Sequence, residues 1–113
     1  MHELSIAIGI VKIAEAEMAK ASAKKVDSIE LEIGTLAGIE FDSLDFVWPS
    51  AVKDTVLEHA IKKINVISAK AKCMDCDTAF EIKNIYDSCP NCHSFLKGIL
   101  EGKELRVKAL EVS

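Results

Sequence analysis

The chain has few of the residues that interrupt regular structure and none of the patterns that mark repeats or flexible tails. Only 2 prolines and 5 glycines occur among its 113 residues, and 50% of the residues are hydrophobic. No internal repeat, low-complexity tract or long linker is present. A chain of this length can bury one modest core, so we expect one compact body with at most a small additional lobe.

Long apolar runs are also missing, which bears on membrane insertion and on export. The most apolar stretch, residues 4–14, is shorter than the about 20 residues that span a bilayer, and Lys12 interrupts it. A secretory signal peptide begins with a basic region, but the first three residues include no Lys or Arg. We therefore expect a cytoplasmic protein without a membrane segment.

Positive charge is not in excess, and no phosphate-binding loop is present. Lys and Arg number 14 against 18 Asp and Glu, a formal net charge of −4. Residues 73–103 hold 3 basic and 5 acidic residues, so this segment lacks a footprint for nucleic-acid phosphates. With no Gly-rich loop and only 3 histidines, no catalytic arrangement stands out. We predict that the protein is not an enzyme and binds no nucleic acid.

The 4 cysteines are the strongest positive signal. They form two Cys-x-x-Cys pairs, Cys73 with Cys76 and Cys89 with Cys92, with 12 residues between the pairs. Each pair is a short turn that directs two thiolates to one point, and two pairs supply the four ligands of a tetrahedral structural Zn²⁺. Two disulfides would need an oxidising compartment, and no export signal accompanies the cysteines. We therefore predict a zinc-binding domain over residues 73–103.

Other occupants and roles fit parts of this pattern. Iron shares the tetrathiolate ligand set, so an iron electron carrier is one alternative, and a zinc-ribbon module that binds another protein is a second. Cys89, Cys92 and His93 also satisfy the Cys-x-x-Cys-His pattern of haem c attachment, but that leaves Cys73 and Cys76 unexplained. His93 is either a solvated histidine or a ligand that replaces a thiolate at low pH.

Hydrophobic periodicity predicts a helix and then a strand in the first third of the chain. Residues 4–19 show the helical spacing, with an apolar face made of Leu4, Ala7, Ile8, Val11, Ala14 and Met18. The period then changes to two, and Ile29, Leu31 and Ile33 alternate with polar residues up to Gly34. This alternation is typical of a half-buried strand.

A second helix is expected after that strand. Asp42 or Ser43 would cap it, and its apolar positions continue to Leu57. Pro49 would kink or restart this helix, because proline lacks the N–H of the i to i−4 hydrogen bond.

Two further strands complete the predicted fold. Residues 61–71 read as one strand with a bulge where the alternation slips between Val66 and Ile67, and residues 105–112 read as the last strand. The fold class is therefore α+β, with two helices packed on a three-stranded sheet and a small zinc-ribbon-like lobe inserted before the last strand. The predicted domains are an α+β domain of residues 1–72 plus 104–113 and a zinc-binding domain of residues 73–103.

His2 lies next to the α-amine, a position with its own coordination chemistry. The Met1 amine, the His2 amide nitrogen and the His2 imidazole can close adjoining chelate rings around one ion, and this set favours Ni²⁺ or Cu²⁺. The Glu3 amide or an outside donor would be the fourth ligand. The alternative is that His2 is a solvated residue at a frayed terminus.

Several segments together resemble the HypA/HybF family of hydrogenase nickel-incorporation proteins. They are Met-His-Glu-Leu-Ser-Ile-Ala at 1–7, Ile-Glu-Leu-Glu-Ile-Gly at 29–34, Ala-Lys-Ala-Lys-Cys at 69–73 with Cys-Pro-Asn-Cys at 89–92, and Glu-Leu at 104–105. The resemblance covers the whole chain, and the Met-His-Glu start combined with two Cys-x-x-Cys pairs is specific.

The resemblance implies a metallochaperone that delivers Ni²⁺ to the large-subunit precursor of NiFe hydrogenase, usually with a GTPase partner of the HypB type. It implies that His2 is the nickel ligand at the terminus and that the four cysteines hold a structural zinc. A homodimer is a further candidate assembly. Many relatives have glycine at the two positions that follow the cysteine pairs, which are Asp77 and His93 here.

Overall fold

The computed structural model describes residues 3–113, which form two helices and six strands. The elements are α1 (Glu3–Ala21), β1 (Val26–Gly34), α2 (Phe41–Val52), β2 (Ile61–Ile67), β3 (Lys70–Cys73), β4 (Ala79–Glu81), β5 (Lys97–Glu101) and β6 (Leu105–Val112). The α+β class is confirmed, with a three-stranded sheet of order β2-β1-β6 and a small lobe before the last strand. A second three-stranded sheet, of order β4-β3-β5, was not predicted. Within residues 3–113, no helix is long and apolar enough to cross a bilayer.

The chain forms two compact units. The first contains residues 1–31, 39–65 and 106–113, and therefore both helices and most of the sheet β2-β1-β6. The second contains residues 32–38 and 66–105, and therefore the sheet β4-β3-β5 and all four cysteines. The functional domains predicted from sequence, 1–72 plus 104–113 and 73–103, stay a prediction.

Helix α1 buries one face and ends in a capping motif. Its buried residues are Ala7, Ile10, Val11, Ala14 and Met18. Leu4 and Ile8 were expected on the apolar face but are exposed, because they lie on the flank of the buried stripe. Ser22 has a left-handed φ of 53°, and the Ala23 N–H donates to the Met18 carbonyl at 3.1 Å. This Schellman arrangement satisfies a carbonyl that the helix end would otherwise leave unpaired.

Helix α2 begins two to three residues earlier than predicted, at Phe41. Its N-cap is Glu40, which makes no side-chain capping hydrogen bond, so the expectation that Asp42 or Ser43 caps the helix was wrong. The Glu40 N–H instead donates to the Glu3 carboxylate of α1, 3.4 Å away. Glu3 of α1 thus accepts the N-cap N–H of α2, as the glutamate of a capping box does within its own helix.

The end of α2 also differs from the prediction. The helix continues through Pro49 and ends at Val52 rather than at Leu57. It ends there because the Val52 carbonyl accepts both the N–H and the hydroxyl of Thr55, and Asp54 has a left-handed φ of 60°. These bonds turn the chain out of the helix, and Leu57 is buried within the following turns.

Strand β1 is the centre of the first sheet and follows the predicted alternation. Val26, Ile29, Leu31 and Ile33 are buried. The Ser113 N–H donates to the Lys25 carbonyl at 3.0 Å, which places the end of β6 beside the start of β1.

The segment 61–71 is two strands rather than one strand with a bulge. Strand β2 ends at Ile67, two residues follow, and β3 starts at Lys70 in the other sheet. The slip in alternation at Val66 and Ile67 therefore marks the end of a strand. A register irregularity does occur, but it lies between Lys70 and Ala71, where β3 pairs with β5.

The second sheet has its own small core. Strand β3 is central and pairs antiparallel with β4 and β5, so that Ala71 lies opposite Phe80 on one side and Ile99 on the other. Buried Ala69, Ala71 and Ile82 form the core, with Leu36, Phe80 and Ile99 packed against it.

Candidate metal centre

All four cysteines converge on one point. Cys73 is the last residue of β3, Cys76 lies in the turn that follows, and Cys89 and Cys92 come from a second turn before β5. Their Sγ atoms all lie within 4.8 Å of one another. The sulfur atoms of Cys73 and Cys92 are 3.5 Å apart, and those of Cys76 and Cys89 are 3.6 Å apart. The spacing argument from sequence therefore selected residues that the fold brings together.

The two turns, which we call knuckle 1 (residues 73–78) and knuckle 2 (residues 89–94), have the same backbone hydrogen bonds. In knuckle 1 the Cys73 N–H donates to the Thr78 carbonyl at 2.8 Å, and in knuckle 2 the Cys89 N–H donates to the Ser94 carbonyl at 2.9 Å. The Cys73 and Cys89 carbonyls accept N–H groups from four residues further on, at 3.0 and 2.8 Å. The knuckles are therefore equivalent by position, and the closest sulfur pairs each join one knuckle to the other.

One residue in each knuckle has the left-handed backbone that glycine favours. Asp77 and His93, which donate those two N–H groups, have φ values of 61° and 64°. A residue with a side chain in this left-handed region costs about 1–2 kcal/mol, although aspartate and histidine tolerate it better than most. Glycine would adopt the same backbone at these two positions without that cost.

The sulfur positions fit a tetrahedral Zn²⁺. With Zn–S bonds of about 2.3 Å, the edges of a regular tetrahedron are about 3.8 Å long, close to the observed 3.5 and 3.6 Å. Disulfides require sulfur atoms about 2.05 Å apart, and all four cysteines are free. The four thiolates would hold the ion in a closed site, where it supplies a structural crosslink between the knuckles.

The pKa values of the cysteine thiols also favour a bound cation. The Thr78 hydroxyl, 3.2 Å from the Cys76 sulfur, and the Asn91 amide lower the pKa of Cys76 to about 6. The Ser94 N–H lowers the pKa of Cys92, but the neighbouring Cys73 thiol and burial outweigh it and raise this pKa to about 12. Four thiolates this close repel one another, so a divalent cation is what lets them all ionise together.

His93 does not join the four sulfur atoms. Among residues 3–113, the group with metal-ligand geometry consists of the four cysteines alone, and His93 is exposed. Because Cys89 and Cys92 share their site with Cys73 and Cys76, the arrangement is not that of a haem c attachment site.

Two of the three residues predicted to bind nickel, Met1 and His2, lie outside the described residues. Glu3 is the first residue of α1 and is partly exposed. Its carboxylate accepts the Glu40 N–H as described above, so the side chain has a structural partner. The nickel assignment to Met1, His2 and Glu3 stays a prediction.

Sequence reasoning missed the polar residues around the sulfur atoms. Asn91 lies beside both Cys76 and Thr78, and Asp75 accepts a hydrogen bond from Ser94. In the sequence, these residues occupy equivalent positions in the two knuckles. That equivalence predicts a contact only when it is known that the knuckles face each other.

Comparisons with a protein family, with individual sequences and with solved structures all lead to one family. Residues 1–112 match the family described as "Hydrogenase/urease nickel incorporation, metallochaperone, hypA". The chain is 43% identical to the hydrogenase maturation factor HypA of Parabacteroides distasonis over 112 residues, which cover 99% of this chain and 97% of that protein. It is also 43% identical to the protein of that name from Francisella philomiragia over 110 residues, which cover 97% of each chain.

A solved structure shares the fold. The solution structure of the Ni metallochaperone HypA from Helicobacter pylori superposes with a TM-score of 0.71 at 25% identity, covering 99% of this chain and 97% of that one. The family match includes the amino terminus and both cysteine pairs. The chain therefore belongs to the HypA family of nickel-incorporation metallochaperones that act in hydrogenase maturation.

Proposed function

We propose that this protein binds Ni(II) and delivers it to the large-subunit precursor of NiFe hydrogenase. The observation that carries the proposal is the family match over residues 1–112, because it covers the predicted nickel ligands and the thiol cluster together. The working compartment is the cytoplasm, and the partners are a GTPase of the HypB type and the hydrogenase precursor itself. A homodimer is a further candidate for the assembly that carries the metal.

The nickel site consists of the Met1 amine, the amide nitrogen and imidazole of His2, and the Glu3 amide or an outside donor. The structure supports this site indirectly, since α1 is an ordered helix from Glu3 onward and its first carboxylate contacts the start of α2. Because α1 starts at Glu3, the backbone of this candidate ligand is already ordered before a metal binds, which limits the entropy that binding costs. No open position is available at the thiol cluster for a second cargo ion, since all four sulfur atoms face one point.

The resident metal of the thiol cluster is Zn²⁺, held by Cys73, Cys76, Cys89 and Cys92. The same ligands accept iron, which is the basis of the alternative function as an electron carrier. Metal analysis of protein purified without added metal separates the two, because an iron tetrathiolate is red and a zinc one is colourless. The other alternative, a zinc-ribbon module that binds a protein, has the same resident metal and differs in lacking specific nickel binding at the terminus.

Complementation tests delivery in the cell. In a strain that lacks its own HypA, the untagged wild-type chain should restore NiFe hydrogenase activity at limiting nickel, and His2→Ala should not. His59→Ala is the matched control, because the His59 side chain is 92% exposed and lies outside both sites. Full restoration by His2→Ala would contradict the proposed nickel site, and no restoration by the wild type would contradict the proposed delivery.

A further inference from the structure

Polar side chains join the two knuckles in addition to the sulfur atoms. The Asn91 amide nitrogen lies 3.4 Å from the Thr78 hydroxyl, and the Ser94 hydroxyl donates to the Asp75 carboxylate. Asn91 and Asp75 are the third residues of their Cys-x-x-Cys pairs, and Thr78 and Ser94 are the second residues after those pairs. Each knuckle therefore contributes one bridge to the other, and the two bridges are equivalent by position.

Asn91 makes contacts that its counterpart Asp75 does not share. Its backbone N–H donates to the sulfur of Cys89 at 3.4 Å, and its side-chain amide donates to the sulfur of Cys76 at 3.5 Å. Those two sulfur atoms come from different knuckles and are 3.6 Å apart. Asn91 thus holds both members of one sulfur pair, whereas Asp75, a carboxylate, can only accept hydrogen bonds.

N–H donors to a metal-bound thiolate have two effects. They fix the direction of the sulfur, and they stabilise its negative charge in the same way as other hydrogen bonds to ionised acceptors. Residues that orient metal ligands in this way typically change metal affinity by about 10–100-fold when they are removed.

We propose that Asn91 is a positioning residue of the metal centre, which ties the Cys76 and Cys89 sulfur atoms together across the knuckles and so slows loss of the bound zinc. The bridge between Asp75 and Ser94 closes the equivalent side with less effect, because it does not donate to a sulfur. The inference rests on the proposed occupancy of the thiol cluster by zinc.

The rate of zinc release tests this role. Untagged, zinc-loaded protein is mixed with an excess of the chromogenic chelator 4-(2-pyridylazo)resorcinol at neutral pH. We expect Asn91→Ala to release zinc about 10-fold faster than wild type, and Asp75→Ala to show a smaller increase. Asn84→Ala is the matched control, because Asn84 is in the same compact unit and bonds the Tyr86 N–H without contacting a sulfur. It should release zinc at the wild-type rate.

A conservative variant separates N–H donation from simple packing. Asn91→Asp keeps the size of the side chain, and its carboxylate can accept from the Thr78 hydroxyl in place of the bond that the Asn91 amide donates. It removes the donor to the Cys76 sulfur and adds a negative charge. We expect this variant to release zinc at least as fast as Asn91→Ala. Release at the wild-type rate by Asn91→Asp would show that packing alone matters and would overturn the proposal.

A direct measurement covers the case in which the variants lose zinc during purification. In wild-type protein substituted with ¹¹³Cd, the side-chain amide protons of Asn91 should show a coupling to the metal transmitted through the Cys76 sulfur, and the Asn84 amide should show none. Absence of the Asn91 coupling would overturn the proposal. Wild-type protein that contains zinc while Asn91→Ala releases it at the wild-type rate would also overturn it. Wild-type protein without zinc would overturn the zinc assignment first, and the inference with it.

Discussion

At the residue scale, each metal knuckle turns at one residue with a left-handed backbone, Asp77 in knuckle 1 and His93 in knuckle 2. His93 has a φ of 64° and is exposed next to Cys92. His93→Gly should remove backbone strain and raise the free energy of unfolding by about 1 kcal/mol, while X-ray absorption should still show zinc bound to four sulfur atoms. Loss of a ligand from the zinc spectrum of this variant would show that the imidazole takes part in binding.

Two glycines of the second unit lie against each other with no room for a side chain. A Cβ on Gly34 would lie 1.9 Å from the carbonyl oxygen of Gly102, which itself accepts the Leu36 N–H at 2.7 Å. Gly34→Ala should therefore lower the free energy of unfolding by about 3 kcal/mol or more, as measured by urea denaturation. Gly9→Ala in α1 is the control, because nothing lies within 4 Å of its Cβ, and it should stabilise the protein by about 0.5–1 kcal/mol. Similar unfolding midpoints for the two variants would contradict the close approach.

Glu30 gives the first unit a dependence on acidic pH. The Asn65 amide donates to its carboxylate at 2.5 Å, and this bond, with help from the Lys108 and Lys63 ammonium groups, holds the pKa of Glu30 below its usual value of 4.5. Because the pKa is lower in the folded state, the contribution to stability is present above about pH 4.5 and is lost as the pH falls through the folded-state pKa. Asn65→Ala should raise the Glu30 pKa in an NMR titration, whereas Asn84→Ala should leave it unchanged. A Glu30 pKa that is the same in wild type and Asn65→Ala would exclude this cause.

At the scale of elements, local sequence signals located most of the helices and strands. The last strand, Leu105–Val112, has the predicted bounds, and β1 ends at Gly34 as predicted. The start of α2 could not be predicted, because the partner of the Glu40 N–H is Glu3, a residue 37 positions away in the sequence. The division of 61–71 into two strands also escaped prediction, because which sheet a strand joins depends on partners distant in the sequence.

The second sheet is the element that should depend on the metal. Its apolar core consists of Ala69, Ala71 and Ile82, with Leu36, Phe80 and Ile99 packed against them, which is little for three short strands. Binding of structural zinc is worth about 10–16 kcal/mol in model peptides, so Cys92→Ala should disorder residues 73–103 while α1, α2 and the first sheet stay folded. Amide spectra would show collapse of the signals from 73–103 alone, and native-like signals from that segment in the zinc-free variant would contradict the account.

At the scale of the whole molecule, the cysteine cluster could be predicted from the sequence, but the polar residues around it could not. Cysteine spacing was enough to predict which four side chains come together, because a Cys-x-x-Cys turn brings its own sulfur atoms close to each other. Contacts such as those of Asn91 with Thr78 and Cys76 join two turns, and their existence depends on how the turns face each other. The nickel ligands are predicted from the chemistry of the amino terminus and from the resemblance to the HypA/HybF family.

Nickel binding by untagged, zinc-loaded protein is the measurement that tests the central claim most directly. Isothermal titration with Ni²⁺ should show one specific site per chain. Inserting one alanine between Met1 and His2 should abolish it without unfolding the protein, because the insertion changes the chelate ring sizes. His2→Ala should do the same, whereas Glu3→Gln should keep binding if Glu3 contributes only its backbone nitrogen. Stoichiometric nickel binding of wild-type strength by the His2→Ala protein would contradict the account.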